Sequence, residues 1–290
     1  MNTARSSRLE FDAIGTRWQI DTDEPIAPEL EASLHSRIEQ FDRTYSRFRD
    51  DSLVSTIART PGRHVFPADA APLFDLYRSL YDATDGAVTP LVGGALERLG
   101  YDRTYSLRQQ GSAQPVPAWN ESFAWDGEAL DTVRPVTVDV GAAGKGYLVD
   151  IVGELLADHG IRNAVVDASG DLRHSGDGTL RVGLEHPLDP SRVIGVAEIT
   201  DQALCASASN RRAWGDGLHH VIDALTGLPT RSVIATWAIA PTALLADGLA
   251  TALFFAAPAR LAAVGPFSYV RMMSTGQVEY SPDLKGEMFV

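Results

Sequence analysis

The chain has 290 residues, of which 44% are hydrophobic, so it can bury a core of ordinary globular size. It carries 25 Lys and Arg against 38 Asp and Glu, and this net charge of −13 would repel a nucleic-acid backbone or an anionic membrane surface. The only cysteine is Cys205, which excludes an intrachain disulfide and a cysteine zinc cluster.

The first half of the chain predicts strands and then helices. Residues 11–22 alternate in polarity and are rich in β-formers, which predicts a strand pair or a bent strand. Helical periodicity predicts two helices, over about 28–42 and 71–84. Residues 103–135 contain several prolines and little periodicity, so we expect loops with short strands there.

The second half opens with a more regular pattern. A strand over 136–140, a helix over 144–160 and a strand over 163–168 together predict a βαβ-like unit. The remaining predicted elements are strands at 181–185 and 193–200, a helix at 244–255, and strands at 269–273 and 278–281. This order predicts a mixed α/β (α+β) fold, in which one domain over residues 1–290 has mixed sheets flanked by helices.

The sequence also gives expectations about location. No window approaches the roughly 18 consecutive apolar residues of a membrane span. Residues 1–18 have no apolar stretch of signal-peptide length and no cysteine that could carry a lipid. We therefore expect a cytoplasmic protein that binds neither membrane nor nucleic acid.

One carboxylate, Asp247, lies inside the apolar run 244–255. In a helix, Asp247 and Thr251 lie four residues apart on the same face, where both could contact one ligand. An unpaired carboxylate in apolar surroundings costs several kcal/mol, so it should have a metal ion, a cationic side chain or a helix N-terminus as partner. The alternative is an acid facing solvent near the start of the helix, where Pro241 and Thr242 are typical start residues.

The glycine-rich segment GAAGKG, residues 141–146, lies between a predicted strand and a predicted helix. Backbone N–H groups at such a helix start can bind phosphate, and Lys145 favours an anion. The segment is not a Walker A motif, because Gly146 occupies the place of the Ser or Thr that contacts magnesium. The alternative interpretation is that the glycines allow the helix and strand to pack closely.

Two adjacent histidines, His219 and His220, precede Asp223 in the segment 218–230. A histidine near neutral pH can take a proton from a hydroxyl, and a nearby acid can orient it. Adjacent residues of a strand point to opposite faces, so at most one histidine faces a given site. A structural role for the pair is the alternative.

Taken in order, these segments resemble the FAD:protein FMN transferase (ApbE) family. The matching segments are AIGTRW, YSRFRDDSLVS, DGAVTPLVGGALERLGYD, VDVGAAGKGYLVD, DASGDL, HHVIDALTGLP and LLADGLATALFF. They cover nearly the whole chain.

The resemblance implies an enzyme that binds FAD with Mg²⁺, cleaves the pyrophosphate and moves FMN onto a Thr or Ser hydroxyl of a target flavoprotein, releasing AMP. By the same resemblance, the metal ligands are Asp247, Thr251 and the backbone carbonyl of Ala142, and His220 is the base. The implied FAD contacts are Ile14, Phe48, Ala87, Val88, Thr89, Asp139, Lys145 and the main chain near Val221.

The chain departs from the family pattern at residues 88–91. The family usually has an FDPT-like run where this chain has Val88, Thr89, Pro90 and Leu91. Loss of that acid and hydroxyl is expected to remove polar contacts near FAD. Two alternatives to flavin transfer therefore stay open, namely hydrolysis of FAD to FMN and AMP, and FAD binding without turnover.

Overall fold

A computed structural model describes residues 7–289. Residues 1–6 and Val290 lie outside this range. The predicted domain over 1–290 includes them, and residues 1–6 are also part of the segment 1–18 considered above for a signal peptide. The helices are α1 (Pro28–Tyr45), α2 (Leu53–Ile57), α3 (Ala71–Ala83), α4 (Gly93–Arg98), α5 (Trp119–Ser122), α6 (Gly144–Asp158), α7 (Ala243–Ala252) and α8 (Pro258–Leu261), with a 3₁₀ turn at Pro90–Val92.

The longer strands form the sheets, and four two-residue strands form short bridges. In chain order the strands are β1 (Ser7–Ala13), β2 (Thr16–Thr22), β3 (Gly62–Val65), β4 (Phe123–Trp125), β5 (Ala129–Thr132), β6 (Ala164–Asp167), β7 (Asp171–Ser175), β8 (Leu180–His186), β9 (Asp189–Ile199), β10 (Ala203–Ala208), β11 (Ala213–Trp214), β12 (Leu218–His219), β13 (Ile222–Asp223), β14 (Leu228–Pro229), β15 (Val233–Ala240), β16 (Ser268–Met273), β17 (Val278–Tyr280) and β18 (Gly286–Met288).

The main sheet has eight strands in the order β1-β2-β6-β7-β10-β15-β16-β17, and neighbouring strands pair antiparallel. Two three-stranded sheets accompany it, β18-β9-β8 and β3-β5-β4. Helices and sheets thus occur together, and the predicted mixed α/β class is confirmed.

The two faces of the main sheet bury different cores because side chains alternate along each strand. On β15, Ala238 and Ala240 join the core formed with α1, α3, α6 and α7, whereas Trp237 and Ile239 face the other way. Trp237 and Ile239 pack in a second core with residues of β8 and β9. The arrangement is therefore a helical layer, a large sheet and a small sheet, with α6 and α7 adjacent in the helical layer.

The predicted strand at 136–140 is wrong, and with it the βαβ-like unit. Val136, Val138 and Val140 are buried alternately, but the segment is extended without a strand partner, and the N–H of Asp139 donates to the carbonyl of Pro90 at 2.8 Å. One-sided burial produces the same alternation as a strand, so the pattern alone could not separate the two. The next strand, β6, pairs antiparallel with β2 and β7 instead.

The predicted helices near 28–42, 71–84, 144–160 and 244–255 correspond to α1, α3, α6 and α7. The predicted strand pair at the start corresponds to β1 and β2. Within residues 7–289, no helix has both the length and the apolar character needed to cross a membrane.

Candidate active site

A cavity of about 780 Å³ lies where the β1–β2 turn, the end of α1, the start of α6 and the side of α7 meet. Most of the residues singled out from the sequence line it. They are Ile14, Phe48, Ala87, Val88, Thr89, Asp139, Ala142, Lys145, His220, Val221 and Thr251. Cavities of this size hold small molecules and cofactors, so residues distant in sequence meet at one candidate ligand site.

Asp247 lies beside this cavity, buried between α6 and α7 with 4% of its surface exposed. Its Oδ2 accepts a hydrogen bond from the N–H of Gly146 at 2.9 Å, in the first turn of α6. In return, Asp150 of α6 accepts from the N–H groups of Ala243 and Leu244, in the first turn of α7, at 2.8 and 2.7 Å. The two helices cap each other, and the interpretation of Asp247 as an acid facing solvent is wrong.

Gly146 is needed for this close packing of α6 against α7. A Cβ added at Gly146 would overlap the backbone of Ala243 and would lie 2.7 Å from the Cβ of Asp247. The interpretation that a glycine serves close packing is therefore correct at Gly146, although the contact joins two helices rather than a helix and a strand.

Asp247, Thr251 and Ala142 carry three oxygen groups in the region where α6 begins beside α7. The hydroxyl of Thr251 donates to the carbonyl of Ala142 at 3.3 Å, and Asp247 lies one helical turn before Thr251. One carboxylate, one hydroxyl and one carbonyl are hard oxygen ligands, which suit Mg²⁺ better than a soft metal ion. Within residues 7–289, no three His, Cys, Asp or Glu side chains form a group that could hold a metal, so this donor set relies on a hydroxyl and a carbonyl beside its one carboxylate. The donor set thus fits Mg²⁺ with further positions filled by phosphate or water.

Lys145 and Asp171 set the electrostatics around Asp247. The ammonium of Lys145 lies 3.1 Å from Oδ2 of Asp171 and donates to the carbonyls of Ala168 and Ser169 at 2.8 and 3.2 Å. Burial raises the pKa of Asp247 well above its ordinary value, and the charge of Asp171 adds to this, while Lys145 opposes it. Lys145 therefore binds the turn after β6 and also lines the cavity.

Asp171 was not singled out from the sequence, although it lies in the quoted DASGDL segment. It is 1% exposed. An acid directly after a turn of small residues is the signal that could have identified it, but most such acids lie in solvent.

Asp139 lines the cavity with both carboxylate oxygens occupied. Nε of Arg47 donates to Oδ2 at 2.5 Å, and the N–H of Gly141 donates to Oδ1 at 2.7 Å. Burial acts to raise the pKa of Asp139, but the Arg47 guanidinium outweighs it, so the pKa is lowered and the carboxylate is ionised. Arg47, only 5% exposed, was also missed, because an arginine at a helix end usually lies in solvent.

The two histidines have different surroundings, and since β12 ends at His219, the alternation expected of two strand residues does not apply to the pair. His220 lines the cavity, and its Nδ1 has no hydrogen-bond partner among residues 7–289. Burial, followed by the charge of Arg212, lowers the pKa of His220 to about 4, so the imidazole is neutral at pH 7 and can accept a proton. His219 is buried, and its Nε2 lies 2.8 Å from the carbonyl of Thr230.

In the run at residues 88–91, Thr89 takes the place of the family's acid and Leu91 that of its hydroxyl. Only the first of these two positions lines the cavity. Thr89 lines the cavity, and its hydroxyl accepts from the N–H of Leu91 at 3.3 Å to start the 3₁₀ turn. Leu91 is 4% exposed, packs in the main hydrophobic core and is not among the residues that line the cavity. The expectation that a polar contact to the ligand is lost at Leu91 is therefore wrong, because a hydroxyl there would face the core.

Comparisons with known proteins give a family and relatives of known activity. The sequence model of the ApbE family matches residues 14–265. The FAD:protein FMN transferase of Klebsiella pneumoniae (strain 342) is 26% identical over 274 residues, covering 86% of this chain and 78% of that protein. The FAD:protein FMN transferase of Rhodobacter capsulatus is 26% identical over 300 residues, covering 96% of this chain and 57% of that protein.

Solved structures share the fold. The flavin transferase ApbE from Vibrio cholerae superposes with a TM-score of 0.80 at 22% identity, covering 96% of this chain and 98% of that one. The ApbE protein from Thermotoga maritima also gives a TM-score of 0.80, at 24% identity, with 96% and 97% covered.

Proposed function

Because the chain belongs to the ApbE family, we propose that it is an FAD:protein FMN transferase. In the proposed reaction it binds FAD with Mg²⁺ and transfers FMN to a Thr or Ser hydroxyl of a target flavoprotein, releasing AMP. The activity of the relatives supports the transfer of FMN from FAD to a protein. The metal, the acceptor hydroxyl and the release of AMP are the further parts of the proposal.

The observation that carries the proposal is the set of oxygen groups on Asp247, Thr251 and Ala142 beside the large cavity. A pyrophosphate bound there would lie near the first turn of α6, where the helix dipole favours negative charge. The rest of the cavity, lined by aromatic and aliphatic side chains such as Phe48 and Val88, suits ring systems. A dinucleotide with two rings and a central pyrophosphate matches this division.

The three oxygen groups are the proposed metal ligands. When bound, Mg²⁺ would neutralise the charge that develops on the pyrophosphate oxygens as the P–O bond breaks. Asp247 would be its only anionic protein ligand, and metal binding would favour the ionised carboxylate despite the raised pKa. Thr251 and Ala142 would fix the direction from which the phosphate approaches.

His220 is the proposed base. The acceptor oxygen would attack the phosphorus on the FMN side, the bond from that phosphorus to the bridging oxygen would break, and AMP would leave with the bonding electron pair. His220 would take the hydroxyl proton, since it is neutral at pH 7 and lines the cavity. Its low pKa makes it a weak base, so its role requires close positioning of the hydroxyl.

The proposal extends to partners and location. The partners are FAD and a flavoprotein that carries the acceptor Thr or Ser, with no nucleic acid, in line with the net charge of −13. A cytoplasmic location is part of the proposal, and the buried free thiol of Cys205 is compatible with a reducing compartment.

The experiment that tests the proposed function measures binding and cleavage of FAD by the purified protein. Calorimetry should give tighter binding of FAD than of FMN, because the AMP half adds contacts. Chromatography should detect AMP from FAD with Mg²⁺ and none with a chelator. Equal affinities for FAD and FMN, together with no AMP in either condition, would overturn the proposal and leave a flavin-binding protein without turnover.

A further inference from the structure

Arg47 is a buried cation in the wall of the cavity. Its side chain is 3% exposed and its Nε forms the ion pair with Asp139. Its guanidinium carbon lies 4.2 Å from the centre of the Phe48 ring and 5.1 Å from the centre of the Tyr101 ring. Phe48, Tyr101 and Tyr105 also line the cavity, so the guanidinium belongs to an aromatic section of it.

The two terminal nitrogens of Arg47 lack acceptors. Nη1 and Nη2 are shielded from solvent and have no hydrogen-bond partner within residues 7–289. Asp139 accepts from Arg47 Nε on Oδ2 and from the N–H of Gly141 on Oδ1, and it makes no hydrogen bond to Nη1 or Nη2. Burying donors without acceptors is unfavourable, so the arrangement indicates a ligand that supplies the missing acceptors.

The chemistry of the guanidinium limits what that acceptor can be. The free edge offers N–H donors only and can bond two acceptors side by side. Isoalloxazine has such pairs, N1 with the C2 carbonyl and N5 with the C4 carbonyl. The adenine edge alternates instead, since its exocyclic amine donates beside ring nitrogens that accept. The aromatic neighbours favour a planar ring over a phosphate at this position.

We propose that Arg47 is a specificity-determining residue that binds the pyrimidinedione edge of the isoalloxazine ring and so fixes which end of FAD occupies the aromatic section. This inference rests on the proposed function.

Because Nη1 and Nη2 are covered, binding requires a neighbouring ring to move. Tyr105 is the suitable ring: it is 51% exposed, stacks on Phe48 at 5.1 Å, and lies in a turn with φ of +52° at both Tyr105 and Leu107.

The test compares FAD, FMN and ADP as calorimetric ligands for the wild type and Arg47→Lys. Lysine keeps the charge beside Asp139 but loses the planar pair of donors. We expect FAD and FMN to bind at least about tenfold more weakly, as expected for lost hydrogen bonds to a charged donor, and ADP to change less than about twofold. The visible absorption spectrum of bound FAD should also shift, because the hydrogen bonds to the ring change.

Two further variants keep the test decisive. Arg43→Lys is the matched control: Arg43 is an exposed arginine in the last turn of α1, four residues before Arg47, and pairs with Glu39, so the change should alter neither affinity nor spectrum. If Arg47→Lys folds poorly, the double variant Arg47→Met with Asp139→Asn removes both charges together, and it should show the same selective loss for FAD and FMN.

The outcomes separate this inference from the function on which it rests. Equal losses for ADP and the flavins, or unchanged flavin affinity and spectrum, would overturn the role of Arg47 even if the wild type releases AMP from FAD. A wild type that binds no FAD would overturn the proposed function and this inference together.

Discussion

Replacing Asp247 with asparagine should make the protein more stable and much less active. The amide oxygen can still accept the hydrogen bond from Gly146 N, which spans 2.9 Å, and the side chain keeps its size. The substitution removes only the negative charge. Lys145 keeps Asp171 as its partner at 3.1 Å, so no ammonium is left unpaired.

The expected gain in stability comes from the burial of that charge. Asp247 is 4% exposed beside Asp171, and both burial and that neighbour raise its pKa. An incompletely paired buried carboxylate costs several kcal/mol, of which Lys145 offsets part, so we expect a gain of about 1–3 kcal/mol in the free energy of unfolding. Loss of the anionic metal ligand should lower kcat/KM for AMP release by about a hundredfold or more.

The pH dependence gives the same substitution a second readout. Because the folded pKa of Asp247 lies above the unfolded value, the folded state binds more protons between the two values. The contribution of Asp247 to the free energy of unfolding should therefore fall as pH rises from about 3.8 upward, until the pH passes the folded pKa. Asp247→Asn should flatten this slope when urea unfolding is measured with a chelator present.

Asp150→Asn is the matched control, because Asp150 makes the reciprocal cap and is not among the proposed metal ligands. An amide has one acceptor oxygen where Asp150 uses two, so stability should fall by about 1–2 kcal/mol. AMP release should stay within about threefold of the wild type. If Asp247→Asn keeps wild-type AMP release, or is itself less stable than the wild type, then Asp247 is a helix cap and the reasoning is refuted.

Three further predictions concern the histidines and the helix contact. His220→Ala should slow flavin transfer by about 10²- to 10⁴-fold, whereas His219→Ala should lower the melting temperature with little effect on rate, and a reversed pattern would contradict the assignment. Since the pKa of His220 is about 4, ionisation of this residue should not lower the rate between pH 8 and 5, and a loss of rate centred near pH 6.5 that disappears in His220→Ala would oppose this. Gly146→Ala should destabilise the fold by about 1–3 kcal/mol in urea unfolding, because its Cβ would meet the backbone of α7. Gly153→Ala, whose Cβ would have its nearest neighbour at 4.0 Å, should be neutral or stabilising by up to about 1 kcal/mol, and similar losses for the two would argue against the close contact.

Local pattern was enough to predict the helices and the first strands. The helices α1, α3, α6 and α7 have apolar residues at helical spacing, and the β1–β2 pair has alternation on both sides of a glycine turn. Two central strands, β10 and β15, were not predicted. Their residues are buried on both faces and rich in alanine, so neither alternation nor β-propensity distinguishes them from loop or helix.

The residues of the candidate site likewise fall into those that the sequence could identify and those that it could not. Residues within recognisable segments, such as Asp247, Lys145 and His220, were singled out from the sequence, whereas the buried ion pair of Arg47 with Asp139 was not. That pair joins residues 92 positions apart, and its burial depends on packing between the segment after α1 and the segment before α6. No local pattern distinguishes an arginine that turns inward from the many that lie in solvent.

The most direct test of the central claim is the fate of the FMN released from FAD. The protein would be incubated with FAD, Mg²⁺ and a flavoprotein that carries an acceptor Thr or Ser, and AMP, free FMN and the mass of the acceptor would be measured together. We predict one protein-bound FMN for each AMP, with little free FMN. AMP accompanied by an equal amount of free FMN and an acceptor of unchanged mass would contradict transfer and indicate hydrolysis.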